Sequence, residues 1–117
     1  MGPIIVREKL SVEDLQKLLE ENFETMVKVE VDMKQKILAV GGEWHAFGQE
    51  LLVNETGSDG QDVWGANVYP REQGDRRIEY VSLINIKPAL GCKNMRVEDA
   101  SVRDGMKDII EKLIPWQ

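Results

Sequence analysis

The chain has 117 residues, 42% of them hydrophobic and 31% charged, with one Cys, one His and a formal charge of −6. That length and apolar fraction suit one globular domain with one core, and argue against wholesale disorder. A lone Cys makes no internal disulfide, one His and one Cys rule out a four-ligand Cys/His zinc site within one chain, and no run approaches the roughly 20 apolar residues of a membrane-spanning helix.

The negative charge disfavours a dedicated nucleic-acid binder, whose affinity normally comes from neutralising phosphates. With no signal-peptide pattern and no disulfide framework, a cytoplasmic protein without membrane contact is expected.

Pro3-Ile4-Ile5-Val6-Arg7 forms a short apolar run suited to a buried strand. Ser11 then caps a helix over 11–23, with Asp14 in the capping-box position and Leu10 and Leu15 placed as a hydrophobic staple. Val12, Leu15, Leu18, Leu19 and Phe23 recur at helical spacing. Residues 26–33 alternate, with Val27, Val29, Val31 and Met33 against Lys28, Glu30 and Asp32. That pattern predicts a half-buried strand with one solvated face. After the turn Lys34-Gln35-Lys36, Ile37 to Val40 returns as a strand ended by Gly41-Gly42.

Residues 43–54 place Trp44, Phe47, Gly48 and Leu51 on one helical face, but Gly48 weakens a helix interior by about 1 kcal/mol against Ala. A short helix is expected there, with a strand and bulge as the alternative. Residues 62–69 and 78–86 read as two strands of a hairpin joined by a polar loop, with Pro88 stopping the second. Asp99 or Ser101 caps a final helix carrying Val102, Met106, Ile109, Ile110, Leu113 and Ile114. The order β-α-β-β-α-β-β-α predicts a single α+β domain over 1–117. Its sheet would be mixed or mainly antiparallel, of about five strands, with the helices packed on one face.

Gly41-Gly42-Glu43-Trp44-His45-Ala46, Trp64-Gly65-Ala66-Asn67-Val68-Tyr69-Pro70, Ser82-Leu83-Ile84-Asn85-Ile86-Lys87-Pro88 with Gly91, and Val97-Glu98-Asp99 follow one another in the chain. Together they resemble a small prokaryotic family catalogued only as a domain of unknown function, with motifs GGExHA, WGxNxYP and SxINI[RK]PxxG. The resemblance spans nearly the whole chain. It implies a fold and a bacterial or archaeal origin, but no chemistry. The residue after Gly91 is usually Asn in that family and is Cys92 here, which weakens any role for the thiol.

Five groups of residues carry potential chemistry. Glu43 and His45 form a base and its orienting carboxylate only if they share a face and meet in a pocket with Asn67 or Asn85. The ordinary alternative is a His hydrogen-bonded near a helix start. The stretch 43–62 holds five acids and no Lys or Arg, but in no known metal-ligand spacing, so a solvated acidic face is expected and no metal is assigned. Cys92 beside Lys93 lacks any cysteine-enzyme signature.

Asn67, Ser82 and Asn85 are polar residues inside segments that read as strands, placed either to meet a ligand or to tie down a loop. Lys87, Lys93 and Arg96, with Arg71, Arg76 and Arg77, lie on two loops and offer an anion site. There is no Walker A and no dinucleotide glycine fingerprint, so no cofactor is expected. Trp116 is placed to fold back as packing or to serve a dimer contact.

The expectation is a small ligand- or protein-binding domain without catalytic activity. It would use 41–50, Asn67, Ser82–Asn85 and the loop 87–99 to meet a small anionic ligand or a protein partner, with a homodimer possible. The alternative is a small hydrolytic or metal-assisted enzyme using Glu43 and His45.

Overall fold

The computed structural model describes residues 2–116. Its elements in chain order are β1 (Ile4–Val6), α1 (Val12–Glu21), β2 (Val27–Asp32), β3 (Ile37–Val40), α2 (His45–Thr56), β4 (Val63–Val68), β5 (Ile78–Glu79) and α3 (Ala100–Leu113), with short 3-10 turns at 60–62, 74–76, 83–85 and 88–90. The five strands form one antiparallel sheet in the order β1-β3-β2-β4-β5. The fold is α+β, and the helix expected over 43–54 is present at His45–Thr56.

Side chains alternate across a strand, so each strand offers one set to each face. Val27, Val29 and Val31 of β2, Leu38 and Val40 of β3, and Trp64, Ala66 and Val68 of β4 share a face. They pack on Leu15, Leu18 and Leu19 of α1 and on Met106, Ile109, Ile110 and Leu113 of α3. Ser11 Oγ accepts the Asp14 amide at 3.1 Å to start α1. Asp99 Oδ1 accepts the Ser101 amide at 2.8 Å to start α3. The opposite face carries a smaller cluster, Ile37, Ala39, Leu52 and Val63, with Ile5 and Ile84 against it. That face belongs to α2.

The helices therefore cover both faces, which corrects the expectation that they share one. The same fact removes the solvated face expected of β2, since Glu30 and Asp32 lie fully buried beneath α2. The physical reason is a close approach at Gly48. A Cβ at that position would overlap the Glu30 carboxyl, so the missing side chain lets the helix sit down on a polar strand face.

The long strand expected over 78–86 is also corrected. Only Ile78 and Glu79 pair with β4. Beyond them Ser82 Oγ accepts the Ile84 amide at 3.2 Å. The Asn85 side chain accepts from Gly65 N at 2.8 Å and donates to Gly65 O at 3.0 Å. Polar side chains thus replace the ladder along the edge of β4 and curl the chain into a 3-10 turn.

Helix propensity alone makes Gly48→Ala stabilising by about 1 kcal/mol, whereas overpacking costs about 1–3 kcal/mol. We expect net destabilisation in urea unfolding, partly recovered when Gly48→Ala is combined with Glu30→Ala. A stabilised Gly48→Ala protein would show that helix and carboxyl are not in contact.

Candidate functional site

The two residues considered for catalysis part company. His45 opens α2 and is buried, its Nε2–H donating to the Ala66 carbonyl at 2.8 Å. A carbonyl only accepts, so this bond fixes the proton on Nε2. Burial lowers the His45 pKa to about 4; the Ala66 bond works against this and Lys28 adds to it. Glu43 is exposed in the turn before the helix. The imidazole ties α2 to β4, and this geometry lends no support to a Glu43–His45 base. Cys92 packs against the α1/α3 side of the sheet, the opposite face from α2, so it forms no dyad with His45.

Beside His45 the α2 face of the sheet is polar. Lys28 Nζ donates to Asn67 Oδ1 at 3.4 Å and stands 5.6 Å from the Phe23 ring centroid. Asn67 Nδ2 donates to Glu79 Oε1 at 2.8 Å. Asn67 therefore bridges a cation and an anion. Farther along, Asp32 accepts from Ser58 Oγ at 2.5 Å, from Gln35 Nε2 at 3.0 Å and from the Lys34 and Gln35 amides at 2.8 and 3.0 Å. Burial pushes the Asp32 carboxyl up, but the bonds from Ser58, Gln35 and Lys34 outweigh it and the net shift is downward. Glu30 between them has no hydrogen-bond partner for either oxygen. Burial raises its pKa well above the usual carboxylate value, with Lys28 opposing.

Ser82, Asn85 and Lys87 are buried. Besides its bonds to Gly65, Asn85 Nδ2 donates to Met95 O at 3.0 Å. The Lys87 ammonium donates to Gly60 O at 2.7 Å and lies 4.9 Å from the Trp64 ring centroid. These three polar groups are engaged in holding the segment after β5 against β4.

Arg96 and the hairpin-loop arginines do converge. Arg71, Arg76, Arg77 and Arg96 line one open cleft of about 1050 Å³ together with Arg103 and Lys107 of α3. Tyr69, Tyr80 and Trp116 contribute its aromatic walls, and Glu72, Asp75, Glu79 and Glu111 its acids. Trp116 folds back within the chain, its ring stacked under the Arg77 guanidinium at 4.4 Å. Two of the acids are occupied, Glu79 by Asn67 and Glu111 by Lys107 at 3.8 Å. Among the described residues, Arg76, Arg77 and Arg96 have no carboxylate within 4 Å.

Arg103 and Lys107 escaped the sequence reading, which looked for anion groups on loops. Their signal was the spacing Arg103, Lys107, Glu111, one stripe of α3 at i, i+4. Lys87 and Lys93 do not line the cleft, nor do any of Glu43, Glu50, Glu55, Asp59 and Asp62. Among the described residues no cluster of three His, Cys, Asp or Glu is set to hold a metal ion, and no helix is long and apolar enough to cross a membrane.

Residues 4–113 match the family described as a protein of unknown function, DUF5674. The chain belongs to that family. No curated protein and no solved structure matches it. Membership thus brings no assigned chemistry, and the cleft, Glu30 and His45 are read on their own physics in this DUF5674 protein.

The two buried titratable groups set opposite pH limits. The neutral His45 is favoured by folding, so its contribution is complete above the unfolded value near 6.5 and is lost as pH falls toward about 4. Protonated Glu30 is favoured by folding, so its contribution is complete below the unfolded value near 4.5 and is lost as pH rises through its elevated pKa. Denaturant unfolding should therefore show two opposed contributions, one from Glu30 that is lost as pH rises above about 4.5 and one from His45 that is lost as pH falls below about 6.5. Glu30→Gln should remove the first and His45→Gln the second. A Glu30→Gln profile parallel to that of the wild type at every pH would show that the Glu30 pKa is not raised by folding.

Proposed function

We propose that this protein is a non-catalytic binding domain that takes an anionic ligand in the cleft between the β4–β5 loop and α3. The observation that carries this reading is the convergence of six basic residues from three separate segments in a chain of net charge −6. Among the described residues Arg76, Arg77 and Arg96 have no carboxylate within 4 Å. A guanidinium offers planar, forked donors matched to phosphate and carboxylate oxygens.

The interspersed acids favour a compact ligand of a few charges over an extended polyanion such as nucleic acid. The cleft volume of about 1050 Å³ lies just above the range of small-ligand sites, roughly 300–1,000 Å³. The motif resemblance and the lone thiol support a prokaryotic, cytoplasmic setting for this activity.

Inorganic phosphate, pyrophosphate, citrate and mononucleotides are the probes. Binding to the folded state raises Tm by mass action. At least one anion should raise Tm in low salt, the rise should shrink with added chloride, and Arg76→Ala with Arg96→Ala should abolish it. Lys93→Ala, a basic residue outside the cleft, should leave it intact. No response to any anion, or a response that survives the double substitution, would overturn the proposal.

A further inference from the structure

We propose that the β1 edge of the sheet and the adjoining flank of α2 form a two-fold interface between two copies of this chain. Among the described residues β1 pairs only with β3, so its outer edge presents unpaired backbone groups. Such edges template pairing with another strand unless they are blunted. Pro3 donates no N–H, which confines a new ladder to Ile4–Val6 and centres it on Ile5.

The helix above this edge presents apolar surface toward it. Gln49 reaches Gly60 O just before β4, so its flank of α2 faces β4. Residues 44, 47 and 51 fall on the opposite flank at about 100° per residue, on the side of β3 and β1. Trp44 is 60% exposed and Phe47 54%, and Ile5 of β1 lies on the same face of the sheet, opposite Ala39. Two exposed aromatics one helical turn apart beside a free strand edge form a contiguous apolar patch of the kind that marks interaction sites.

Charge decides in favour of a second copy. Antiparallel pairing about Ile5 sets Ile4 of one copy against Val6 of the other, and Arg7 against Pro3. Pro3 lies on Gly42, where an added Cβ would come within 3.0 Å of its Cδ, and Glu43 follows. The pairing therefore brings Arg7 of each copy beside Glu43 of the other. Both residues are exposed, and neither has an ion-pair partner within 4 Å among the described residues. The open side chains of Trp44 and Phe47 amount to about 250 Å² per copy, less than the roughly 800 Å² per partner of a standard stable interface. A weak dimer is expected, in the micromolar range or above.

Sedimentation equilibrium of the full chain from about 1 µM to about 1 mM tests this. The expected result is a concentration-dependent monomer–dimer equilibrium. Arg7→Glu and Glu43→Arg should each weaken it roughly tenfold at low salt, and the R7E/E43R double variant should restore it. Phe47→Ser should remove the dimer while the circular dichroism of the monomer is unchanged. A monomer at every concentration, a dimer insensitive to Phe47→Ser, or charge reversals that weaken association without mutual rescue would each overturn the proposal.

Discussion

The seating of α2 on the polar face of β2 is the constraint on which the rest of this structure depends. A sheet covered on one side needs only one apolar row per strand. This sheet is covered on both, yet β2 keeps Lys28, Glu30 and Asp32 on its second face. Each is accommodated by a different means. Asp32 is folded into the β2–β3 turn, where amides, Gln35 and Ser58 satisfy it. Lys28 lies far enough toward the helix start to reach Asn67. Glu30 has neither option: its carboxyl sits in the space that Gly48 leaves, where burial holds its pKa well above the usual carboxylate value. An unpaired buried carboxylate costs several kcal/mol, and protonation is the cheaper state. The His45 bond to Ala66 then fastens the start of the same helix to β4.

This arrangement explains which parts of the fold were legible in the sequence. The α1 and α3 stripes, the Ser11 and Asp99 caps and the alternation of β2 are local patterns, and each element lies within a few residues of its expected place. What escaped was tertiary. The alternation of β2 is the same whether its polar face meets water or a helix carrying glycine at one position. Gly48 read as a weakness in a helix, when its function is the contact it permits. The span 78–86 has the composition of a strand, but Ser82 Oγ accepts the Ile84 amide within the segment while Asn85 bonds across to Gly65 and Met95 in place of a ladder. Their presence flagged an anomaly that propensity alone does not decode.

The candidate site was legible in part for the same reason. Arg96 and the hairpin-loop arginines stood out as loop cations, and the fold brings them together. Lys87 looked equivalent, yet its ammonium is spent on Gly60 O and the Trp64 ring. The acid-rich span 43–62 and the cationic cleft occupy different parts of the surface, so the net charge of −6 is a sum over two unlike regions. Local fields set what approaches a surface, and clefts concentrate them. The overall charge repels anions at long range and the cleft attracts them at short range, which favours a ligand held by close contacts over one steered from a distance.

The strand order adds a geometric consequence. β1 and β5 are the opposite edges of the sheet. The cleft is walled by Ile78 and Glu79 of β5, while the proposed contact uses β1. Pairing through β1 therefore extends the sheet without covering the cleft and places two clefts at the far ends of a ten-stranded assembly. A ligand of single-cleft size would bind each end independently. A partner presenting two anionic groups at the matching separation would bind with the added strength of an effective concentration, and only to the dimer.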